Sequence, residues 1–180
     1  KHHNERLVQH QDELLHEISQ HNELLEQTVS LRTKEVVRIS NIDPLTNLAN
    51  RKSFSSLLKK LIDVAKLAKQ KMAVLFIDLD GFKAINDQNG HATCDIFLVR
   101  VAQRISEITK DKYQVCRWGG DEFIVAMSNV SVSQASSFAS ELISEIKRPI
   151  ELSINSVGVG ATVGISIYPE HATTGDDLIL

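Results

Sequence analysis

Met72-Ala73-Val74-Leu75-Phe76-Ile77-Asp78-Leu79-Asp80-Gly81 sets the reading of this chain. Met72 to Ile77 is an apolar run of β-type residues, and it stops at two carboxylates and a glycine. Downstream, helical periodicity runs from about Asp95 to Thr109, with Ile96, Val99, Ile105 and Ile108 on one face. Two short β-type runs, Gln114 to Trp118 and Glu122 to Met127, flank Gly119-Gly120. Another helix is expected from about Val132 to Lys147, stopped by Pro149. Ile150 to Ile154 and Val157 to Ile167 read as a hairpin with a long second arm. Upstream, an amphipathic helix from about Asn50 to Lys69 follows the break at Asp43-Pro44.

From the first strand onward the order is strand, helix, strand-turn-strand, helix, strand. That is the split βαβ arrangement of ferredoxin-like and polymerase-palm domains, an α+β fold with an antiparallel-rich sheet flanked by helices. Its strand order sets the first and third strands side by side and antiparallel. The end of the first, at Asp78, then faces the start of the third, at Asp121, so carboxylates distant in sequence meet at one edge of the sheet.

Carboxylates at strand ends hold a hard cation, act as acid and base, or sit as solvated turn residues. Asp78, Asp80, Asp121 and Glu122 lie beside glycines and have no local basic partner. Hard oxygen donors suit Mg²⁺, which binds through one or two carboxylates plus substrate phosphates, and such ions support phosphoryl or nucleotidyl transfer. The plainer alternative is that Asp78-Leu79-Asp80-Gly81 is a turn after a buried strand. Gly119-Gly120 likewise reads either as a hairpin turn with positive φ at both positions or as bare backbone that a ligand can approach. The adjacent acids Asp121-Glu122 repel each other at a tight turn, which favours the second reading.

Residues 1–40 are of another kind: they lack Gly and Pro and hold five of the seven histidines. Val8, Gln11, Leu15, Ile18, Asn22, Leu25, Val29, Arg32, Val36 and Ile39 form a heptad seam, seven of the ten apolar. That spacing predicts a helix that pairs with another helix, and Asn22 occupies a position where a buried amide sets register and a two-stranded state. The competing reading is a lone amphipathic helix folded on its own domain. The expected organisation is a dimerising coiled-coil helix over 1–40 and a catalytic domain over 41–180.

Bulk composition narrows the classes. The 180 residues are 42% hydrophobic and 24% charged, with net charge −3, values of an ordinary soluble protein. A pI near 6.2 gives no nucleic-acid-binding footprint. No apolar run approaches the length that spans a bilayer, and no signal peptide is legible. Cys94 and Cys116 are too few for a disulfide framework and read as free thiols of a reducing, cytoplasmic compartment. The chain opens on Lys1 and is read as a fragment, which leaves room for a membrane anchor in a longer parent.

Arg117-Trp118-Gly119-Gly120-Asp121-Glu122-Phe123 resembles the Arg-x-Gly-Gly-Asp-Glu-Phe signature of GGDEF domains, the diguanylate cyclase family. Asp43-Pro44-Leu45-Thr46-Asn47-Leu48-Ala49-Asn50-Arg51 resembles the family's opening Asp-x-Leu-Thr-Gly-Leu-x-Asn-Arg. Asp78-Leu79-Asp80-Gly81-Phe82-Lys83-Ala84-Ile85-Asn86-Asp87 resembles its Asp-x-Asp-x-Phe-Lys-x-x-Asn-Asp block. Gly90-His91-Ala92-Thr93-Cys94-Asp95 is similar to Gly-His-x-x-Gly-Asp, and Val163-Gly164-Ile165-Ser166 loosely to a late Ser-x-Gly-Ile strand. Several motifs in order over about Asp43 to Leu180 are far more specific than one.

The resemblance implies condensation of two GTP molecules into cyclic di-GMP with release of pyrophosphate, by a homodimer that the N-terminal helix holds together. It implies that Asp78 and Asp121 hold Mg²⁺ or Mn²⁺ with the Leu79 carbonyl, and that Glu122 completes the acidic site. Lys83 and backbone around Gly81 and Phe82 would hold phosphates. Asn86 and Asp95 would read guanine, and Gly119 and Gly120 would let the nucleotide lie against the backbone. It also leaves room for sensor or phosphodiesterase domains in a parent chain.

Departures carry their own expectations. Cys94 stands where relatives usually have Gly and would narrow the base pocket, while Asn47 and Ala49 replace a common Gly and Pro in a structural loop. Lys110 and Tyr113 occupy the positions of the Arg-x-x-Asp inhibitory site, so feedback by product is not expected. Relatives continue past the stretch like Asp176-Asp177-Leu178 into a helix bearing a phosphate-contacting Lys and Arg, which the sequence to Leu180 does not include. The alternative to an active cyclase is a catalytically weak or inactive GTP-binding module controlling an attached phosphodiesterase or partner.

Overall fold

A computed structural model of the chain describes residues 2–110, 112–151 and 156–179, apart from the side chains of 2–14, 17, 38, 39 and 89. It divides into two compact units, residues 1–40 and 41–180. The first is helix α1 (His2–Asn41), continuous because nothing in it breaks a helix. Its seam residues Leu15, Ile18, Leu25, Val29 and Val36 are 48–66% exposed; Val8, Gln11 and Ile39 of the expected seam lie outside the described side chains.

In the second unit, β1 (Ala49–Asn50) leads into α2 (Arg51–Ala68). Asn50 caps α2 by accepting from the Ser53 amide at 3.0 Å, and Lys69 closes it in the left-handed region. Then come β2 (Met72–Asp80), α3 (Phe82–Asn89), α4 (His91–Thr109), β3 (Gln114–Gly119) and β4 (Glu122–Ser128). α5 (Val132–Lys147) opens on a capping box made by Ser131 and Gln134, which satisfies two amides that a helix start leaves unpaired. β5 (Ile150–Glu151), β6 (Ser156–Val157), β7 (Gly160–Tyr168) and α6 (Gly175–Ile179) complete the unit.

The main sheet has the order β1-β3-β4-β2-β7, and all of its pairings except β1 with β3 are antiparallel. Without β1 this is the ferredoxin-like order expected from the element pattern. β2 is covered on both faces. Ala73, Leu75, Ile77 and Leu79 join a core with Phe97, Val101 and Ile105 of α4 and Leu142 and Ile146 of α5. Met72 and Val74 join the opposite layer with Phe54 and Leu58 of α2 and Leu178 of α6. Burial on both faces removes the need for alternation, so the run reads as continuously apolar.

The structure corrects the sequence reading at four places. β2 does not end at Asp78 but continues through Asp80. Helix α3, absent from the sequence reading, occupies Phe82–Asn89, and α4 starts at His91 rather than near Asp95. The long last strand is not a hairpin arm: β5 pairs with β6, while β7 pairs with β2. Of the arm expected over Ile150 to Ile154, residues 152–155 lie outside the described residues. The central strand, already buried on both faces, takes the long strand as its second partner because that pairing satisfies nine residues of backbone.

Candidate active site

The site forms where β2 leaves the core. Asp78 stands directly opposite Glu122 of β4, the last pair of that ladder, and opposite Thr162 of β7. Directly opposed residues share a face, and like charges in that relation destabilise a sheet. Asp121 sits one residue before Glu122, in the turn between β3 and β4. Burial, foremost, together with the charges of Asp121 and Asp80, raises the Asp78 carboxyl above the usual range. Among the described residues no Lys, Arg or His forms an ion pair with Asp78, Asp121 or Glu122.

The cation in the signature points elsewhere. Arg117 donates through Nε and Nη2 to the Gly120 carbonyl at 3.0 and 2.8 Å, and through Nη1 to Asp43 Oδ1 at 3.2 Å. Asp43 also accepts from the Thr46 amide and hydroxyl at 2.8 and 2.7 Å. Burial alone would raise the Asp43 carboxyl, but these bonds and the Arg117 charge outweigh it and hold it below the usual range. Arg117 thus ties the turn to the loop before α2. Asn47 in that loop has φ +60°, a conformation Asn tolerates better than most non-glycine residues, so the replacement of the family's Gly is structurally neutral. Sequence reasoning missed the Arg117–Asp43 tie.

The glycine pair divides its roles. The turn is Gly120-Asp121, and only Gly120 has positive φ, at +47°. This corrects the expectation of positive φ at both glycines. Gly119 ends β3 at a register shift, and a Cβ there would come no nearer than 3.9 Å to Glu122 Oε2, so its bareness is not required by packing.

Beyond β2, Gly81 at φ +75° starts α3 without a side-chain cap, leaving amides of the first turn free for an acceptor. Phe82 anchors that turn against Phe97, ring centroids 6.2 Å apart. Lys83 is exposed and has no bonded partner among the described residues. Asn86 carries a buried Oδ1 without a hydrogen-bond partner, which calls for a donor. Asp95 is exposed near the start of α4, and the neighbouring Cys94 is 3% exposed, its thiol raised by burial and then by the Asp95 charge. The His91 side chain is exposed and makes no hydrogen bond among the described residues. Trp118, within β3, is half-buried with the Arg51 guanidinium 4.4 Å from its ring. A cleft of about 440 Å³ runs from Asp78 past Phe76, Thr162, Gly164 and Ser166 to Leu178.

Among the described residues no group of three or more His, Cys, Asp or Glu side chains is placed to hold a metal ion. Asp78 and Asp121 are near enough for their charges to act on one another, and Leu79 follows just past the last β2 residue paired with β4. Mg²⁺ is commonly held by one or two carboxylates and completes its shell with water and phosphate oxygens. The unbalanced negative charge at Asp78 therefore fits a hard divalent cation that arrives with a phosphorylated ligand.

Comparison with known proteins matches the sequence and the fold. Residues 40–180 match the family model described as diguanylate cyclase, GGDEF domain. The chain is 42% identical over 134 residues to the diguanylate cyclase TpbB of Pseudomonas aeruginosa, covering 73% of this chain and 31% of that protein. It is 33% identical over 157 residues to MucR of the same organism, a bifunctional diguanylate cyclase/cyclic di-GMP phosphodiesterase, covering 87% of this chain and 23% of that one. The chain thus spans less than a third of either relative. The solved GGDEF domain of TpbB superposes with TM-score 0.74 at 41% identity, covering 77% of this chain and 81% of that domain. The coiled coil and GGDEF domain of DgcB from Caulobacter crescentus share the fold at TM-score 0.75 and 24% identity, over 86% of each chain.

Proposed function

The chain belongs to the GGDEF-domain family, and from that premise we propose that it is a diguanylate cyclase condensing two GTP molecules into cyclic di-GMP as a dimer. The observation that carries the reading is the opposition of Asp78 and Glu122 across β2 and β4, with Asp121 beside them and no ion pair to any of the three among the described residues. A sheet keeps such a pair where it has work to do at that edge. Asp78, Asp121 and the Leu79 carbonyl hold Mg²⁺ or Mn²⁺; when bound, the ion neutralises phosphate charge and acidifies a hydroxyl.

Lys83 and the free amides of Phe82 and Lys83 grip the β- and γ-phosphates. Asn86 and Asp95 read the guanine edge, the orphaned Oδ1 of Asn86 supporting this role. Gly119 and Gly120 let the nucleotide lie against the backbone. Glu122 takes the proton from the 3′-hydroxyl of one GTP. That oxygen bonds to the α-phosphorus of the other, the bond to the β-phosphate oxygen breaks, and pyrophosphate leaves. The same exchange with the roles of the two nucleotides reversed closes the ring. Each domain binds one GTP, so two must face each other. The exposed seam of α1 supports pairing of two copies as a coiled coil, with residues 1–40 as dimerising segment and 41–180 as catalytic domain.

The test is chromatographic detection of cyclic di-GMP after the protein is incubated with GTP and Mg²⁺. Product that disappears in Asp121→Ala supports the cyclase. GTP binding without product supports a second reading, a nucleotide-binding module that tunes an attached phosphodiesterase. The buried Cys94 beside Asp95 favours that alternative.

A further inference from the structure

Asp80 follows Asp78 by two residues, so strand alternation sets both carboxylates on one face. The structure separates them. Pairing of β2 with β4 ends at Asp78, whereas pairing with β7 continues through Leu79 to Asp80 opposite Gly160. The last two residues of β2 are therefore laddered on the β7 side alone. There the Thr162 hydroxyl donates to Asp80 Oδ1 at 2.7 Å. The other oxygen lies against bare backbone: a Cβ on Gly160 would sit 2.6 Å from Asp80 Oδ2 and 3.2 Å from its Cβ. The carboxylate leans toward β7, away from Glu122 on the β4 side. The next residue is Gly81, whose left-handed turn opens α3.

We propose that Asp80 is a positioning residue: clasped by Thr162 over Gly160, it pins the end of β2 and so holds the Gly81 turn that presents the first amides of α3 and Lys83 to nucleotide phosphate. The inference rests on the nucleotide-binding reading for its ligand but not for its mechanics. It separates Asp80 from the strand-end carboxylates with which the residue pattern alone groups it.

Four variants of the full chain test it: Thr162→Val, Thr162→Ser, Asp80→Asn and Gly160→Ala. Without nucleotide, Thr162→Val should speed hydrogen exchange of the Gly81 to Lys83 amides about tenfold, the worth of one hydrogen bond to a charged group. With GTP, KM should rise by about the same factor, while kcat and the half-saturating Mg²⁺ concentration stay within about twofold. Thr162→Ser restores both, since the hydroxyl returns. Asp80→Asn, whose amide oxygen still accepts from Thr162, stays near wild type in all readouts, and Gly160→Ala resembles Thr162→Val. An Asp80→Asn protein that loses turnover and shifts its Mg²⁺ requirement overturns the proposal and makes Asp80 a cation ligand. Wild-type exchange rates in Thr162→Val overturn it from the other side. A wild-type protein that makes no cyclic di-GMP sinks the cyclase reading alone, because the exchange comparison decides the clasp without nucleotide.

Discussion

The two halves of β2 obey different rules. From Met72 to Leu75 every side chain is buried, both neighbouring strands are present, and helices cover both faces. From Asp78 to Asp80 the pattern becomes exposed, buried, exposed, one partner strand runs out, and the outward positions carry like charges. The first half is arranged for stability, since each buried apolar side chain contributes through area removed from water. The second is arranged against it, with two acids opposed across a ladder. One strand thus serves as both the centre of the core and the floor of the site, and the rigidity of the first half holds the unfavourable charges of the second in place.

The contrast breaks most visibly at the polar end. Asp78→Asn should reduce cyclic di-GMP formation about a thousandfold, the scale of losing a group that stabilises charge in the transition state. Because the native carboxyl is raised above its unfolded value, its ionisation opposes folding, and stability is lost as pH rises through that window. The same variant should therefore melt at the same or a higher temperature than wild type at neutral pH without Mg²⁺; a lower melting temperature would erase the distinction between the two halves.

The apolar half should respond in the opposite sense. Leu75→Ala leaves a void at a fully buried position and should cost about 2–5 kcal/mol of stability in urea unfolding. The folded fraction should keep its GTP affinity. A variant that unfolds normally but fails to bind would show that the halves are not separable.

A smaller effect compares two carboxylates. Asp43, with Thr46 and Arg117 as partners, has a lowered carboxyl pKa, against the raised Asp78. A lowered native pKa gives stability that is present above the unfolded value of about 4 and is lost as pH falls through the native one. Asp43→Asn should reduce stability by about 1–2 kcal/mol at pH 7 and flatten the acid limb of melting curves taken from pH 7 down to pH 3. An unchanged acid limb would mean that the Arg117 tie contributes nothing.

Much of this was legible in the chain. Helices α2 and α5 begin on Asn50 and Ser131 and end near Lys69 and Pro149, local chemistry that marks their bounds within a residue. The meeting of Asp78 with the acidic pair followed from the usual strand order of such folds, but the ladder sets Asp78 opposite Glu122, one residue past the expected Asp121, which lies in the turn. Helix α3 was not legible: eight residues between two glycines, with no side-chain cap, show no period long enough to read. The small β5–β6 hairpin was obscured because its residues and β7 form one nearly continuous β-type stretch.

Sequence by itself determined the fold class, the family and which carboxylates gather at the sheet edge, since periodicity, caps and motif order are local properties that any segment displays on its own. Tertiary structure alone decided what the neighbouring charges do. Arg117 looks like a site cation but is engaged by Asp43, 74 residues away. Asp80 looks like a second ligand but is held by Thr162, 82 residues away. Hydrogen bonds over such separations leave no periodic trace, because their partners become neighbours only when β3 and β7 take their places in the sheet.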